Sequence, residues 1–487
     1  QALKEQIAAD REANSVLADE ILEALDRLET LAVKVKSADE NLARAKAEAD
    51  KVRQRVDSEQ ESLTAEMERV RGDLIQAWDF HTASGESLWG DLLWMRDDAM
   101  ARVGADGLGC TIEDVQDDYS ENIARVVTGT FTAPSYVDSP YPPANLVRSA
   151  DGRPEYQGDH EVEFRLAIPR SLAQPDATPG PLVTYGHGLL NNDSQILFEW
   201  QQSMANELGL VLMSTDYTGL SSADAAADAE ILTDLDAFPA IPDRLKQGVV
   251  NVLVMTRTMA GVCAGEEAGA VEGQPPFDPV SRLSWGGSLG ARLGATTLAR
   301  AQDWERGTLH VGGSIFPLLQ SRSIGFEPLE LVFSAWYEPR ADREVFWSIL
   351  GHLFDEVDPI TYLPHLIDDP LPDTPAKKIL YQAGKDDELV HNLGTNVAAR
   401  TAGLPLIRPT AVEVWGLDDA PATPFDGSAL QYWDLGVPPA PVGNEPPDAH
   451  GVHYDVRLTT SCMAQLTAFM KADGQIIDAC DGECDPD

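Results

Sequence analysis

The chain has 487 residues, of which 80 are acidic and 36 basic, giving a formal net charge of −44. Such a surface repels phosphate backbones and anionic headgroups, so nucleic acid and electrostatic membrane docking are excluded as partner classes. The length exceeds one ordinary core, and a large domain with an appended segment is expected.

No apolar run is long enough to span a bilayer. The opening QALKEQIAADRE has neither the basic start nor the apolar centre of a signal peptide, which reads as a mature or truncated form. Of five cysteines, Cys480 and Cys484 lie close together in DACDGECDPD, where a small disulfide loop would fit an oxidising compartment. The odd count leaves at least one thiol free or paired between chains.

Residues 1–72 form the appended segment. From Gln1 to Arg71 there is no glycine or proline, and Ala, Leu, Glu, Lys and Arg dominate, a helical composition. Apolar residues recur at three-and-four spacing, first Ile21, Leu25, Leu28, Ala32 and Val35. After a shift of phase come Leu42, Ala45, Ala49, Val52 and Val56, then Leu63, Met67, Val70 and Leu74. The seam is coiled-coil-like. Ser37-Ala38-Asp39-Glu40 has the capping-box form, a point where the helix can fold back as a hairpin. Homo-oligomer formation through this seam and packing on the chain's own domain are both open.

Residues 73–487 read as one domain. Leu88, Leu92, Met95 and Ala99 have helical spacing, and ARVVTGTFTAP and HEVEFRLAIP alternate like two antiparallel edge strands. PLVTYGHGLL is a buried strand, QILFEWQQSMANELG a helix closed by Gly209, and LVLMSTDYTGL a further strand. Asp216, Asp224, Asp228, Asp234 and Asp236 read as a solvated acidic face, since no His or Cys joins them and the spacing is not that of a calcium loop. A helix from about Asp243 to Ala260 leads to VSRLSWGGSLGARLGATTLA, and GTLHVGGSIF supplies the next strand. Strands alternating with helices indicate a mainly parallel sheet covered on both faces.

An aromatic-rich insertion at about 320–375 carries Trp336, Tyr337, Phe346, Trp347, Phe354 and Tyr362 and reads as a cap. KKILYQAG and TAVEVWGL follow as strands, then VRLTTSCMAQLTAFMKADG as the last helix. The terminal Asp478, Asp481, Asp485 and Asp487 read as a disordered acidic tail.

The chemistry centres on Gly286-Gly287-Ser288-Leu289-Gly290 between a strand and a helix. A serine at a sharp strand-to-helix turn presents its hydroxyl at the end of a sheet, and glycines at both flanks allow the close approach this turn needs. The helix behind it adds free N–H groups and positive potential where an oxyanion would form. A serine nucleophile also needs a base and an orienting carboxylate. Lys385-Asp386-Asp387-Glu388-Leu389-Val390 and Asp448-Ala449-His450-Gly451-Val452-His453 supply candidates in the order serine, acid, histidine.

With this elbow, the His187-Gly188 turn after an earlier strand and a glycine-then-aspartate turn after a late one, the sequence from about Arg125 to Asp478 resembles the α/β-hydrolase superfamily. It is most similar to secreted bacterial serine esterases and lipases. The resemblance implies an α/β-hydrolase fold with a cap and an N-terminal helical extension, a serine nucleophile Ser288, no cofactor and no metal. In the family pattern G-x-x-D-x-x-V, Gly384 and Val390 pick out Asp387 as the acid, with Asp386 as second choice. The family's histidine sits just before the last helix, which favours His453 over His450. The oxyanion donors map to the N–H groups of Leu289 and Leu189, and His187 braces the turn. The implied substrate is a small-molecule or lipid carboxylic ester in an extracellular or cell-envelope setting. A peptide substrate and a non-catalytic hydrolase-fold interaction protein are the alternatives.

Overall fold

The computed structural model describes residues 2–70, 82–265, 276–471, 473–480 and 482–485. The chain divides into two units, Gln1–Thr82 and Ala83–Asp487. In the first, one helix runs from Ala2 to Val70 without a break at Ser37–Glu40. A capping box there would have to displace backbone bonds in a stretch free of glycine and proline, and the helix continues through it. Leu28, Val35, Leu42, Ala49 and Val56 stand seven residues apart and are all exposed. One apolar row therefore passes through the expected shift of phase. Leu74, at the end of the expected seam, lies outside the described residues.

The second unit is built on a sheet of nine described strands: β1 Cys110–Asp117, β2 Ile123–Ser135, β3 Gly158–Pro169, β4 Gly180–Gly186, β5 Val211–Ser214, β6 Phe277–Gly287, β7 Arg306–His310, β8 Lys378–Gly384 and β9 Ala429–Trp433. Their order is β1-β2-β3-β5-β4-β6-β7-β8-β9. The β1/β2, β2/β3 and β3/β5 pairs are antiparallel, and every pair from β5/β4 to β8/β9 is parallel.

Period-two alternation sorts the strand residues between two cores. Leu182, Val211, Met213, Ile379 and Tyr381 face one core with the helices Gly85–Val103, Ala240–Ala260 and Leu289–Leu298. Val183, Tyr185, Leu212 and Leu380 face the other, with Met204 and Ala205 of helix Glu199–Leu208 and Leu466 and Phe469 of helix Thr460–Phe469. A sheet buried on both faces is the architecture the α/β-hydrolase resemblance implies.

Between β7 and β8 the chain is helical, with Phe316–Gln320, Glu327–Trp336, Arg340–Phe354 and Pro359–Tyr362. Several expectations differ from what is found. TAVEVWGL contains no strand, and β9 is instead ALQYW, whose five residues are all buried and so show no alternation. Asp224 is not solvated: it is fully buried, 2.7 Å from Arg244 Nε, and it accepts from Gly219 N, Ser221 N and Ser221 Oγ. Asp228 is buried as well.

The C-terminal stretch is docked, with Ile476 bridged to Phe425, Cys484 buried and Asp434 N donating to Cys484 O. Asp481 and Asp487 lie outside the described residues. Cys480 pairs with Cys484, Cys110 pairs with Cys263 across 153 residues, and Cys462 is free and buried. Among the described residues no helix is long and apolar enough to cross a membrane.

Candidate active site

Three glycines bring the ends of β4 and β6 and the following helix together. A Cβ on Gly286 would stand 2.1 Å from Gly290 O, and one on Gly290 would stand 2.0 Å from Gly186 O. No side chain fits either gap, so β6 turns directly into helix Leu289–Leu298 across the end of β4. Ser288 occupies the turn with φ 59° and ψ −123°, a left-handed conformation that a non-glycine residue holds only when its surroundings enforce it. Here the Ser288 N–H donates to His310 O of β7 at 2.9 Å, and its carbonyl accepts from Ala291 and Arg292.

Asp387 follows β8 and is buried. Its Oδ1 accepts the N–H groups of Leu389 and Val390, each at 2.8 Å. Its Oδ2 lies 2.8 Å from His453 Nδ1, both side chains being about 2 % exposed. An ionised carboxylate can only accept, so Nδ1 carries the hydrogen and Nε2 is the free, basic nitrogen. The neighbouring Glu388 ties the two turns together, since its Oε1 accepts Gly451 N at 3.1 Å. Gly451 adopts φ 84° just before His453.

The second-choice residues lie apart from this pair. Asp386 Oδ1 accepts Ala440 N, and His450 is half-buried with no hydrogen bond among the described residues. His391 caps its own helix, with Nδ1 accepting from Leu393 N.

At the turn after β4, His187 is fully buried. Tyr217 N donates to its Nε2 at 2.8 Å, so Nδ1 is the protonated nitrogen and donates to Gly188 O at 2.8 Å. Burial pushes its pKa down to about 4, the tautomer is locked, and the ring works as a brace. Gly188 N is committed to Gln195 Oε1 at 2.6 Å, and Leu190 N to Leu220 O at 3.0 Å. Between them the N–H of Leu189 donates to no acceptor among the described residues, and neither does that of Leu289, the first residue of its helix.

Ser288, Leu189, Leu289 and His453 all line one cavity of about 430 Å³. No hydrogen bond joins Ser288 Oγ to the His453 ring among the described residues; in ligand-free sites this contact is often long and tightens on binding. The aromatic walls are Phe198, Trp200, Phe316, Phe326 and Tyr454. Of these only Phe326 falls in the insertion read from sequence; Trp347, Phe354 and Tyr362 are instead packed into the core. Phe354 stacks on Phe316 at 3.7 Å, backing the wall. Sequence reasoning also missed Gln195, Glu388, Arg292 and Arg457. Glu388 alone carried a signal, its adjacency to Asp387.

No family model matches the chain, and no curated protein does. Among solved structures it is similar to an acetyl xylan esterase from Paenibacillus sp. R4, at 13 % identity and TM-score 0.39 over 72 % of this chain and 90 % of that one. Acetyl xylan esterase 1 from Thermoanaerobacterium sp. JW/SL YS485 is similar at 13 % identity and TM-score 0.40, over 76 % and 93 %. A puromycin-hydrolyzing peptidase of Mycobacterium tuberculosis is similar at 13 % identity and TM-score 0.37, over 73 % of this chain and 47 % of that one. Likenesses this distant add nothing to the fold assignment. The strand order, the doubly covered parallel sheet and the serine elbow after β6 carry it, and by them the chain has the α/β-hydrolase fold.

Proposed function

We propose that the protein is a serine hydrolase that cleaves carboxylic esters through an acyl-enzyme, with Ser288 as nucleophile, His453 as base and Asp387 as the orienting acid. The observation that carries this reading is the buried Asp387–His453 pair opening on the same cavity as Ser288 and two uncommitted N–H groups.

Ser288 Oγ attacks the ester carbonyl as its proton passes to His453 Nε2, and Asp387 stabilises the imidazolium. The carbonyl oxygen, now negative, is held by the N–H groups of Leu289 and Leu189, each such donor being worth about 3 kcal/mol of transition-state stabilisation. His453 then protonates the departing alcohol, and water, activated by the same nitrogen, releases the acid. The largely apolar walls suit an apolar acyl or aryl portion, with the helical insertion as a cap. Two disulfides favour an extracellular or envelope compartment.

A fluorophosphonate probe on the full chain tests the mechanism, and p-nitrophenyl esters of rising acyl length beside peptide substrates test the bond. The parent should be labelled at Ser288 and hydrolyse esters. Ser288→Ala, whose lost hydroxyl removes little packing, should stay folded with neither property. Ester hydrolysis by Ser288→Ala within about tenfold of the parent overturns the assignment, given the losses of 10³ or more that follow nucleophile removal.

A further inference from the structure

The cavity is at odds with the charge of the chain around it. Against a formal net charge of −44, none of its lining residues is acidic, and its formal cations are two arginines, Arg292 and Arg457. Arg292 is paired, with Nη2 3.5 Å from Asp358 Oδ2. Arg457 has no ion pair and donates no hydrogen bond among the described residues, although it is only 8 % exposed. Its guanidinium lies against the rings of Trp200, at 5.3 Å, and Tyr454, at 5.0 Å. Asp387, the carboxylate of the site, is occupied by His453 and two backbone N–H groups.

The aromatic rings cover the faces of the Arg457 guanidinium, and among the described residues no carboxylate or carbonyl takes its N–H groups, so they are left to a group in the cavity. Arg457 also stands beside the nucleophile: a Cβ on Gly287, the residue before Ser288, would be 3.5 Å from its Nη1. Resting on the serine-hydrolase reading above, we propose that Arg457 is a specificity-determining residue that receives a carboxylate of the substrate. The substrate class is then an ester bearing a free carboxylate a few bonds from the scissile carbonyl. The planar guanidinium fork matches a carboxylate in two parallel hydrogen bonds. One unpaired positive charge neutralises one carboxylate, whereas a phosphate dianion would leave negative charge uncompensated in a largely apolar cavity.

Two measurements on the full chain test this, one of them independent of hydrolysis. By calorimetry, glutaramate, which carries a carboxylate and no ester, should bind the parent. Its Kd should rise at least about tenfold in Arg457→Gln, the lower range for a hydrogen bond to a charged group, and less in Arg457→Lys. In turnover, mono-p-nitrophenyl glutarate or 4-carboxyphenyl hexanoate should be preferred in kcat/KM over p-nitrophenyl hexanoate or phenyl hexanoate respectively. Arg457→Gln should lower that ratio at least about tenfold, chiefly through KM. Equal use of charged and neutral esters by the parent, or loss of both in equal proportion in Arg457→Gln, overturns the proposal and assigns Arg457 to packing. If no ester is hydrolysed and no serine is labelled, the hydrolase reading fails, while glutaramate binding still decides the role of Arg457. Should Arg457→Gln not fold, the preference of the parent and the Arg457→Lys variant decide it.

Discussion

Gln195 Oε1 accepts the N–H of Gly188 at 2.6 Å, and this one bond leaves the next N–H along, that of Leu189, as the free donor facing the cavity. Gln195 is 8 % exposed and belongs to the turn Asp193–Leu197. Gln195→Ala frees the Gly188 donor and loosens the turn that aims Leu189. We expect kcat on a p-nitrophenyl ester to fall about tenfold to a hundredfold, as for a misplaced catalytic group, with a smaller change in KM. Unchanged kcat in a folded variant would mean that the turn is held elsewhere.

The two aspartates and two histidines near the site should separate sharply. His453→Ala and Asp387→Asn are expected to lose about 10³-fold or more in kcat. His450→Ala and Asp386→Asn should remain within about tenfold, because neither native side chain touches the Asp387–His453 pair, and Asn tolerates the φ of 61° at position 386. Parallel kinetics on four purified variants decide it, and a reversed ranking moves the assignment by one turn.

Asp228 gives a pH signature. Burial first and the charge of Asp224 second push its carboxyl up to about 8, and its Oδ2 has no hydrogen-bond partner among the described residues. The folded protein thus keeps a proton that the unfolded chain releases near pH 4. The stability held by this group is full below about pH 4 and is lost as the pH rises toward about 8. Asp228→Asn is neutral in both states and escapes that loss. Its Tm advantage over the parent should therefore grow between about pH 4 and pH 8, reaching on the order of 2 °C or more. A Tm difference that stays constant across thermal melts in this range would show that residue 228 does not titrate as described.

The helix Ala2–Val70 presents Leu28, Val35, Leu42 and Val56 to solvent at heptad spacing. A single helix cannot bury such a row, and we expect it to pair between chains. Light scattering should find an elongated oligomer for the full chain and a compact monomer once residues 1–72 are deleted, with ester turnover per site retained. A full chain that scatters as a globular monomer would end the idea.

How much of this was readable in advance follows from where the physical constraint is local. The elbow is local: its glycines, its serine and its helix lie within a dozen residues, and the close approach that demands Gly286 and Gly290 leaves a mark in the sequence. The preference for Asp387 over Asp386 and for His453 over His450 rests on a pattern of neighbours, without any knowledge of distance; the pair that lies in contact is Asp387 and His453. What stayed hidden depends on contacts far apart in the chain. The Cys110–Cys263 pair spans 153 residues, and nothing near either cysteine announces the other. β1 reads CTIEDVQD, mostly exposed and with three acidic residues, because an outer strand of a sheet pairs by backbone and needs little apolar surface. β9 erred the other way, since burial on both faces erases the alternation. Arg457 reads as an ordinary residue in the first turn of the expected last helix; that no acidic group pairs with it among the described residues is a property of the cavity.

The interlock of Gly186, Gly286 and Gly290 fixes the Ser288 turn and the start of the following helix by backbone against backbone, with no side chain between them. The Ser288 turn and the walls of the cavity are thereby held by different contacts. On the proposed reading, wall residues such as Phe326 or Leu458 can be exchanged to admit other acyl groups while the Ser288 turn keeps its place. A single methyl group at any of the three glycines would force two layers of the molecule apart. Variation in the shape of the cavity is therefore cheap and variation in the turn itself is nearly closed off, which makes the walls the productive place to redesign this protein.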